Sequence, residues 1–336
     1  MKEIKLVCSL GPSSWNLDEM HKMIENGVNI FRINMSHSTI DEAKVKVANA
    51  RIVAKEMGKE IQILIDNKGP EIRLGSFDKK TLFEKGDRVT FYCDARKCNK
   101  EFISVDYSNL YKDIEVGKLI VVDDKQVTFE VINIVGETIE TICIIGGVLD
   151  SKKTVNVPGV FLNFDFLSPK DKEDALFACD IEADFLALSF VRRKEDLINI
   201  KEAIKNHNYK GLNLISKIED SSAITNIEEI IKESDGIMIA RGDLAVNIPF
   251  YEVPFEQKRI IKLNKLAGKF TIVATEMLAS MESSFFPTRA ETSDVYNAVI
   301  DGADAVMTSG ETANGIHPSR VVKYMKDITT FAEKQL

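Results

Sequence analysis

The chain repeats one unit about eight times: a short apolar run rich in β-branched residues, then polar or chargeable residues, then an amphipathic helix. The runs are Ile4 to Ser9, Val28 to Ile33, Ile61 to Ile65, Phe185 to Ser189, Leu212 to Ile218, Gly236 to Ala240, Phe270 to Ala274 and Ala305 to Met307. Short apolar runs alternating with helical patterns are the signature of parallel strands buried on both faces. The spacing predicts helices over Leu17 to Asn26, Thr39 to Met57, Pro169 to Cys179, Lys194 to His207, Ser221 to Lys232, Pro254 to Ala267, Glu291 to Asp301 and Pro318 to Glu333. Ser168-Pro169 and His317-Pro318 are helix starts; Gly58 and Gly268 are stops. Eight such units close into a (β/α)8 TIM barrel, which gathers the carboxyl ends of its strands around one site.

The repeat is interrupted once. From about Arg73 to Val155 the pattern changes to alternating segments such as Arg88 to Tyr92, Leu119 to Val122 and Gln126 to Val131, with turn signals at Asp123-Asp124 and Gly136. This predicts a small antiparallel β-barrel domain, residues 73–155, inserted after the third strand of a barrel built from 1–72 and 156–336. The length of 336 residues fits a barrel of roughly 250 residues with such an insert. Placed at the carboxyl end of the barrel, the insert is a candidate lid.

A formal net charge of −8 argues against a nucleic-acid-binding surface, so any anion site must be local. The five cysteines form no CxxC pair and are expected to be free thiols in a reducing compartment. The segment Met1 to Cys8 has no signal-peptide core, and no run approaches a bilayer-spanning length. A cytoplasmic protein with no membrane partner is expected.

The chargeable residues concentrate at the strand ends. Lys217 and Glu219, two apart in an extended segment, point the same way, giving a cation for a phosphoryl group and a carboxylate for Mg²⁺; a surface ion pair is the plain alternative. Asp243, in Ala240-Arg-Gly-Asp-Leu244, offers a second carboxylate to an ion that takes one or two from protein, or sits in a turn. Gly242 leaves room for an anion against the backbone. Asn34, Ser36 and Asp66 are hard oxygen donors carrying one formal charge, a set that fits a monovalent cation, though Asn and Ser also form turns. Arg32 and Arg73 can fork onto phosphate oxygens. Thr275 and Ser309 place hydroxyls at the mouth, where Ser309 reads equally well as a helix cap.

Lys5 to Ser14, Gly27 to His37, Asp66 to Arg73, Ile215 to Glu219, Ala240 to Leu244, Pro287 to Glu291 and Ser309 to Ala313 together resemble the pyruvate kinase family, in its order and approximate spacing. The resemblance spans nearly the whole chain. It implies phosphoryl transfer from phosphoenolpyruvate to ADP, giving pyruvate and ATP, with Mg²⁺ (or Mn²⁺) and K⁺ as cofactors. By the same resemblance Lys217 would stabilise the phosphoryl group and enolate, Arg32 would contact the phosphoryl group, and Glu219 and Asp243 would hold Mg²⁺. Asn34, Ser36, Asp66 and the carbonyl of Asn67 would ligate K⁺, with Glu71 at an acidic position linked to K⁺ dependence. Arg73, His37, Asn34 and Arg193 would face the nucleotide. Thr275 with the backbone at Gly242 and Asp243 would bind the substrate carboxylate, and Ser309 would join a proton relay.

The sequence departs from the family pattern at Asn67 (usually threonine), Glu276 (usually glutamine), Ala245 and Asn247. The usual carboxy-terminal regulatory domain is expected to be absent. On the last helix, Val321, Val322, Met325, Ile328 and Phe331 form an apolar stripe, either core or a newly exposed partner face. A homo-oligomer, dimeric through barrel faces near Arg289, is expected. Two further readings stand beside the kinase: a weakly catalytic homologue serving as a regulatory or binding subunit, and a kinase or lyase for another enolate-forming acid.

Overall fold

The computed structural model describes residues 3–123 and 125–336. Of the features read from sequence, Met1, Lys2 and the Asp124 half of the Asp123-Asp124 turn lie outside that range.

Eight parallel strands close into a barrel: Lys5–Ser9, Ile30–Asn34, Gln62–Asp66, Phe185–Leu188, Asn213–Ile218, Gly236–Ala240, Phe270–Ala274 and Ala305–Thr308. They follow one another around the ring, and the last pairs with the first, Lys5 opposite Ala305. Their side chains are buried on both faces, as the unbroken apolar runs require. Inward residues such as Val7, Ile30, Leu64, Ile215, Met238 and Ile272 fill the barrel, while outward ones pack against the helices.

Helix ends obey the local chemistry. Thr39, Ser168 and Thr288 each form a capping box with an acidic residue three positions on. Gly58 and Gly268 follow helix ends with φ of 60° and 68°, a region glycine enters without a Cβ penalty. The predicted helix Ser221 to Lys232 is instead two, Ser221–Thr225 and Ile227–Glu233, broken at Asn226 with φ −100° and ψ 17°. A helix over Arg241–Asn247 stands where a turn was one of the readings of Arg-Gly-Asp.

The insert leaves the barrel after Asp66 and carries its own core, in which Phe83, Phe91 and Phe129 pack edge to face. Its seven-stranded sheet runs from Ile72–Arg73 at one edge to Phe102–Ser104 at the other. The sheet is mixed rather than wholly antiparallel, because Thr90–Tyr92 pairs with Phe102–Ser104 in parallel. It curls until a single antiparallel bridge, Leu74 to Val105, joins the two edges.

On the last helix, Pro318–Glu333, Val321, Val322 and Met325 are core, whereas Phe331 is 61% exposed. The stripe is therefore partly core and partly open surface. All five cysteines are unpaired, and among the described residues no helix is long and apolar enough to cross a membrane.

Candidate active site

Parallel pairing puts the strand ends at one rim, and register decides which side chains meet. Asn34 lies opposite Asp66 across the second and third strands. From there Arg32 Nε donates to Asp66 Oδ2 at 2.6 Å, and Arg32 Nη1 donates to Ser9 Oγ at 2.8 Å. Lys217 reaches in from the fifth strand and donates to Asp66 Oδ1 at 3.2 Å and Ser189 Oγ at 2.8 Å. Its ammonium also lies 3.0 Å from Glu219 Oε1. Arg32, Asp66, Lys217, Glu219 and Ser189 are all buried. The sequence-predicted core of the site is thus one connected cluster.

Burial sets its electrostatics. It opposes charge on Asp66, but Lys217 and Arg32 overcome that and hold its carboxyl below the usual range. Lys217 also pays for burial, yet Asp66 and Glu219 more than offset it and keep the ammonium firmly protonated. Glu219 is pushed up to about 7, chiefly by burial and further by Asp243, while Lys217 pulls the other way. Phe190 N–H donates to Glu219 Oε2 at 2.6 Å, but no hydrogen-bond donor is aligned on buried Oε1.

That oxygen has the Lys217 ammonium beside it but no aligned donor, and Asp243 adds a second negative field; two carboxylates of this kind fit a site for a divalent cation with open positions for ligand oxygens. The donors near Asp66 are also hard oxygens. Asn34 Oδ1 accepts the Ser36 N–H at 2.9 Å, and the Asn67 carbonyl accepts from Ser189 Oγ at 2.9 Å. The Asn67 side chain is turned away, donating to Asp171 Oδ1 at 3.0 Å and accepting from Ser189 N–H at 2.8 Å. Only its backbone oxygen is left to offer a cation.

Two cavities open beside the cluster and share Ser309 and Gly310. One, of about 490 Å³, is acid-rich, with Asp243, Glu276, Glu282 and Glu311 in its wall together with Thr275 and Gly242. The other, of about 420 Å³, contains Arg32, Asn34 and His37 and has no carboxylate among its lining residues. Ser309 Oγ is buried without a partner, and it does not cap the helix that follows.

Thr275 and Gly242, both expected to bind a carboxylate, are bonded to each other: Gly242 N–H donates to Thr275 Oγ1 at 2.7 Å. Thr275 and Glu276 hold φ of 68° and 54°, and Phe190 holds 55°, conformations that non-glycine residues adopt at a cost of about 1–3 kcal/mol each. Arg241 anchors this turn by donating to Thr275 O at 2.6 Å and to Asp294 Oδ1 at 2.7 Å.

Two predicted residues stand apart. Arg73 belongs to the insert's edge strand, where its guanidinium donates to Glu71 Oε2 at 2.6 Å and Lys152 O at 2.9 Å. Arg193 precedes the helix Lys194–Ile204 with its side chain 44% exposed. Neither lines either cavity.

Ser189 was not singled out from sequence, yet it bridges Lys217, Asp66 and Asn67. Its approach requires Gly69, where an added Cβ would come within 2.6 Å of the Ser189 Cβ. A serine closing a strand reads as a turn former, so no sequence signal marks it.

Fold and site together define a (β/α)8-barrel protein with a buried cation–carboxylate cluster at the carboxyl end of its strands. The family model for the pyruvate kinase barrel domain matches residues 1–322, and the chain belongs to the pyruvate kinase family. It is 42% identical to the pyruvate kinase of Geobacillus stearothermophilus, over 100% of this chain and 58% of that protein. It is 41% identical to the pyruvate kinase of Thermotoga maritima, over 100% of this chain and 72% of that one. The crystal structure of a pyruvate kinase from Cryptosporidium parvum superposes with a TM-score of 0.97 at 35% identity, covering 100% of this chain and 70% of that one. The chain therefore spans less than two thirds of the length of the Geobacillus relative.

Proposed function

We propose that the protein transfers the phosphoryl group of phosphoenolpyruvate to ADP, yielding pyruvate and ATP. The observation that carries this reading is the convergence of Lys217, Arg32, Asp66 and Glu219 from three different strands on one buried cluster. In the reaction the bond from phosphorus to the enol oxygen breaks, a bond to an ADP β-phosphate oxygen forms, and the enolate carbon takes a proton. Lys217, fixed by Ser189 and two carboxylates, supplies positive charge to the phosphoryl group and to the enolate oxygen. Arg32 meets the phosphoryl group, held in place by Asp66 and Ser9.

Glu219 and Asp243 would hold Mg²⁺ or Mn²⁺, and Asn34, Ser36, Asp66 and the Asn67 carbonyl would hold K⁺. When bound, these ions offset the charge of two mutually repelling anions. Thr275 and the Gly242 and Asp243 backbone orient the substrate carboxylate, which requires their mutual hydrogen bond to open. Ser309, with its free buried hydroxyl, participates in delivering the proton. His37 and Asn34 bind nucleotide, joined by Arg73 and Arg193 when the insert closes and excludes water. The net negative charge supports a protein that works away from nucleic acid; a cytoplasmic location and a dimer through barrel faces near Arg289 are proposed from the family membership.

The test is ATP formation from phosphoenolpyruvate and ADP, coupled to lactate dehydrogenase, with Mg²⁺ and with K⁺ or Na⁺. Pyruvate production that vanishes in Lys217→Ala supports the reading. Nucleotide binding without turnover sinks it, and equal rates in K⁺ and Na⁺ remove the monovalent site.

A further inference from the structure

The acid-free cavity holds one more cation than the proposed chemistry uses. Lys46, on the helix Ile40–Glu56, lines it together with Arg32 and His37. Only 4% of Lys46 is exposed, and its ammonium donates to Ser38 Oγ at 2.7 Å. Among the described residues no carboxylate lies within ion-pair distance of it. Glu42, one turn earlier, is occupied in the capping box with Thr39. The ammonium also lies over the ring of Trp15, 5.1 Å from its centroid. A cation–π contact and one hydroxyl only partly replace the water a lysine gives up, so the site is short of an anion.

The walls of the cavity decide where that anion belongs. They come from the carboxyl ends of the first and second strands and the segments that follow the first, second and eighth, which are neighbours around the barrel. In a protein of net charge −8, a cavity with three cationic or basic side chains and no carboxylate is the favoured place for a polyanion. We infer that Lys46 is a nucleotide-binding residue, contacting the phosphate chain of the nucleoside diphosphate, with Trp15 stacked behind it. This rests on the reading that ADP is the phosphoryl acceptor. Lys46 then contributes ground-state binding, so its loss acts on the KM for ADP and leaves the KM for phosphoenolpyruvate alone.

Trp15 is the single tryptophan of the chain, and its place against Lys46 makes its emission a direct readout. In the full chain, ADP is expected to change Trp15 fluorescence saturably. In Lys46→Met the half-saturating ADP concentration and the KM for ADP rise about tenfold, the weight of one charge-assisted hydrogen bond, and Lys46→Arg recovers most of the loss. An ADP response within about twofold of wild type in Lys46→Met overturns the inference. The unmodified protein gives a second measurement should Lys46→Met fail to fold. Inorganic pyrophosphate alone changes Trp15 emission and adenosine alone does not, whereas the reverse pattern overturns the phosphate assignment. If ADP binds in the Lys46-dependent way but no ATP forms, the kinase reading fails while the assignment of Lys46 stands.

Discussion

Gly242 N–H donates to Thr275 Oγ1 at 2.7 Å, so two groups suited to grip a carboxylate hold each other instead. Thr275 Oγ1 in turn donates to Ala274 O at 2.6 Å, which fixes the hydroxyl although its backbone lies in the left-handed region. A substrate carboxylate would replace one of these partners without reshaping the turn.

Thr275→Val tests that exchange. It removes the hydroxyl, leaves Gly242 N–H without its acceptor, and is expected to raise the KM for phosphoenolpyruvate by about tenfold, one hydrogen bond's worth. Steady-state kinetics at saturating ADP measure it. An unchanged KM would show that the hydroxyl does not face the substrate.

Lys217→Met is expected to lower turnover by about 10³-fold, in line with loss of a preorganised electrostatic donor. It also leaves Glu219 as a buried carboxylate without its cation and leaves Asp66 to Arg32 alone, so stability falls by about 3 kcal/mol, read in urea unfolding. Ser189→Ala should be milder in both respects, with about tenfold slower turnover, because the hydroxyl positions Lys217 without carrying charge. Equal losses in the two variants would contradict this division of roles.

Glu276 adds a carboxylate to a cavity wall already holding Asp243, Glu282 and Glu311. Glu276→Gln should tighten phosphoenolpyruvate binding by about two- to threefold, a small effect because the side chain is exposed and screened. The gain should shrink as salt is added. A KM that rises instead would mean Glu276 makes a contact that substrate binding uses.

Glu291 supplies the pH prediction. Burial opposes its charge, but hydrogen bonds from Ser280 and Thr288 outweigh that and hold its carboxyl below the usual glutamate range. A lowered folded-state pKa adds stability above the unfolded value, and that stability is lost as pH falls through the folded one. Glu291→Gln should therefore cost about 1 kcal/mol at neutral pH, discounted for solvent screening, with a difference from wild type that closes as pH drops below about 4.5. Urea titrations at pH 7 and at acid pH check the sign. A gap that widens on acidification refutes it.

The barrel was legible because strands buried on both faces leave unbroken apolar runs, and its rim because Lys217, Glu219 and Asp243 stand at or just beyond the carboxyl ends of those runs. What escaped did so for local reasons. Alternation in the insert identifies an inward face but not strand direction, so the parallel pairing of Thr90–Tyr92 with Phe102–Ser104 left no trace. The helix Arg241–Asn247 begins with Arg-Gly-Asp, and glycine weakens any helical reading. Lys46 looks like a solvated lysine on a charged helix until the fold brings Trp15 over it. Arg73 stands at the insert's edge, where its guanidinium donates to Glu71 and Lys152, partners that a linear pattern does not mark.

The third and fourth barrel strands hydrogen-bond directly, Leu64 opposite Phe185 and Asp66 opposite Ala187, although the whole insert lies between them in the chain. The ring of strands is thus complete without the excursion, which has its own aromatic interior. The barrel carries the insert between two neighbouring strand ends, and Lys125 of the insert also donates to Ala245 O at the barrel rim. Residues of the insert can therefore change while the strand pairing beneath them stays the same.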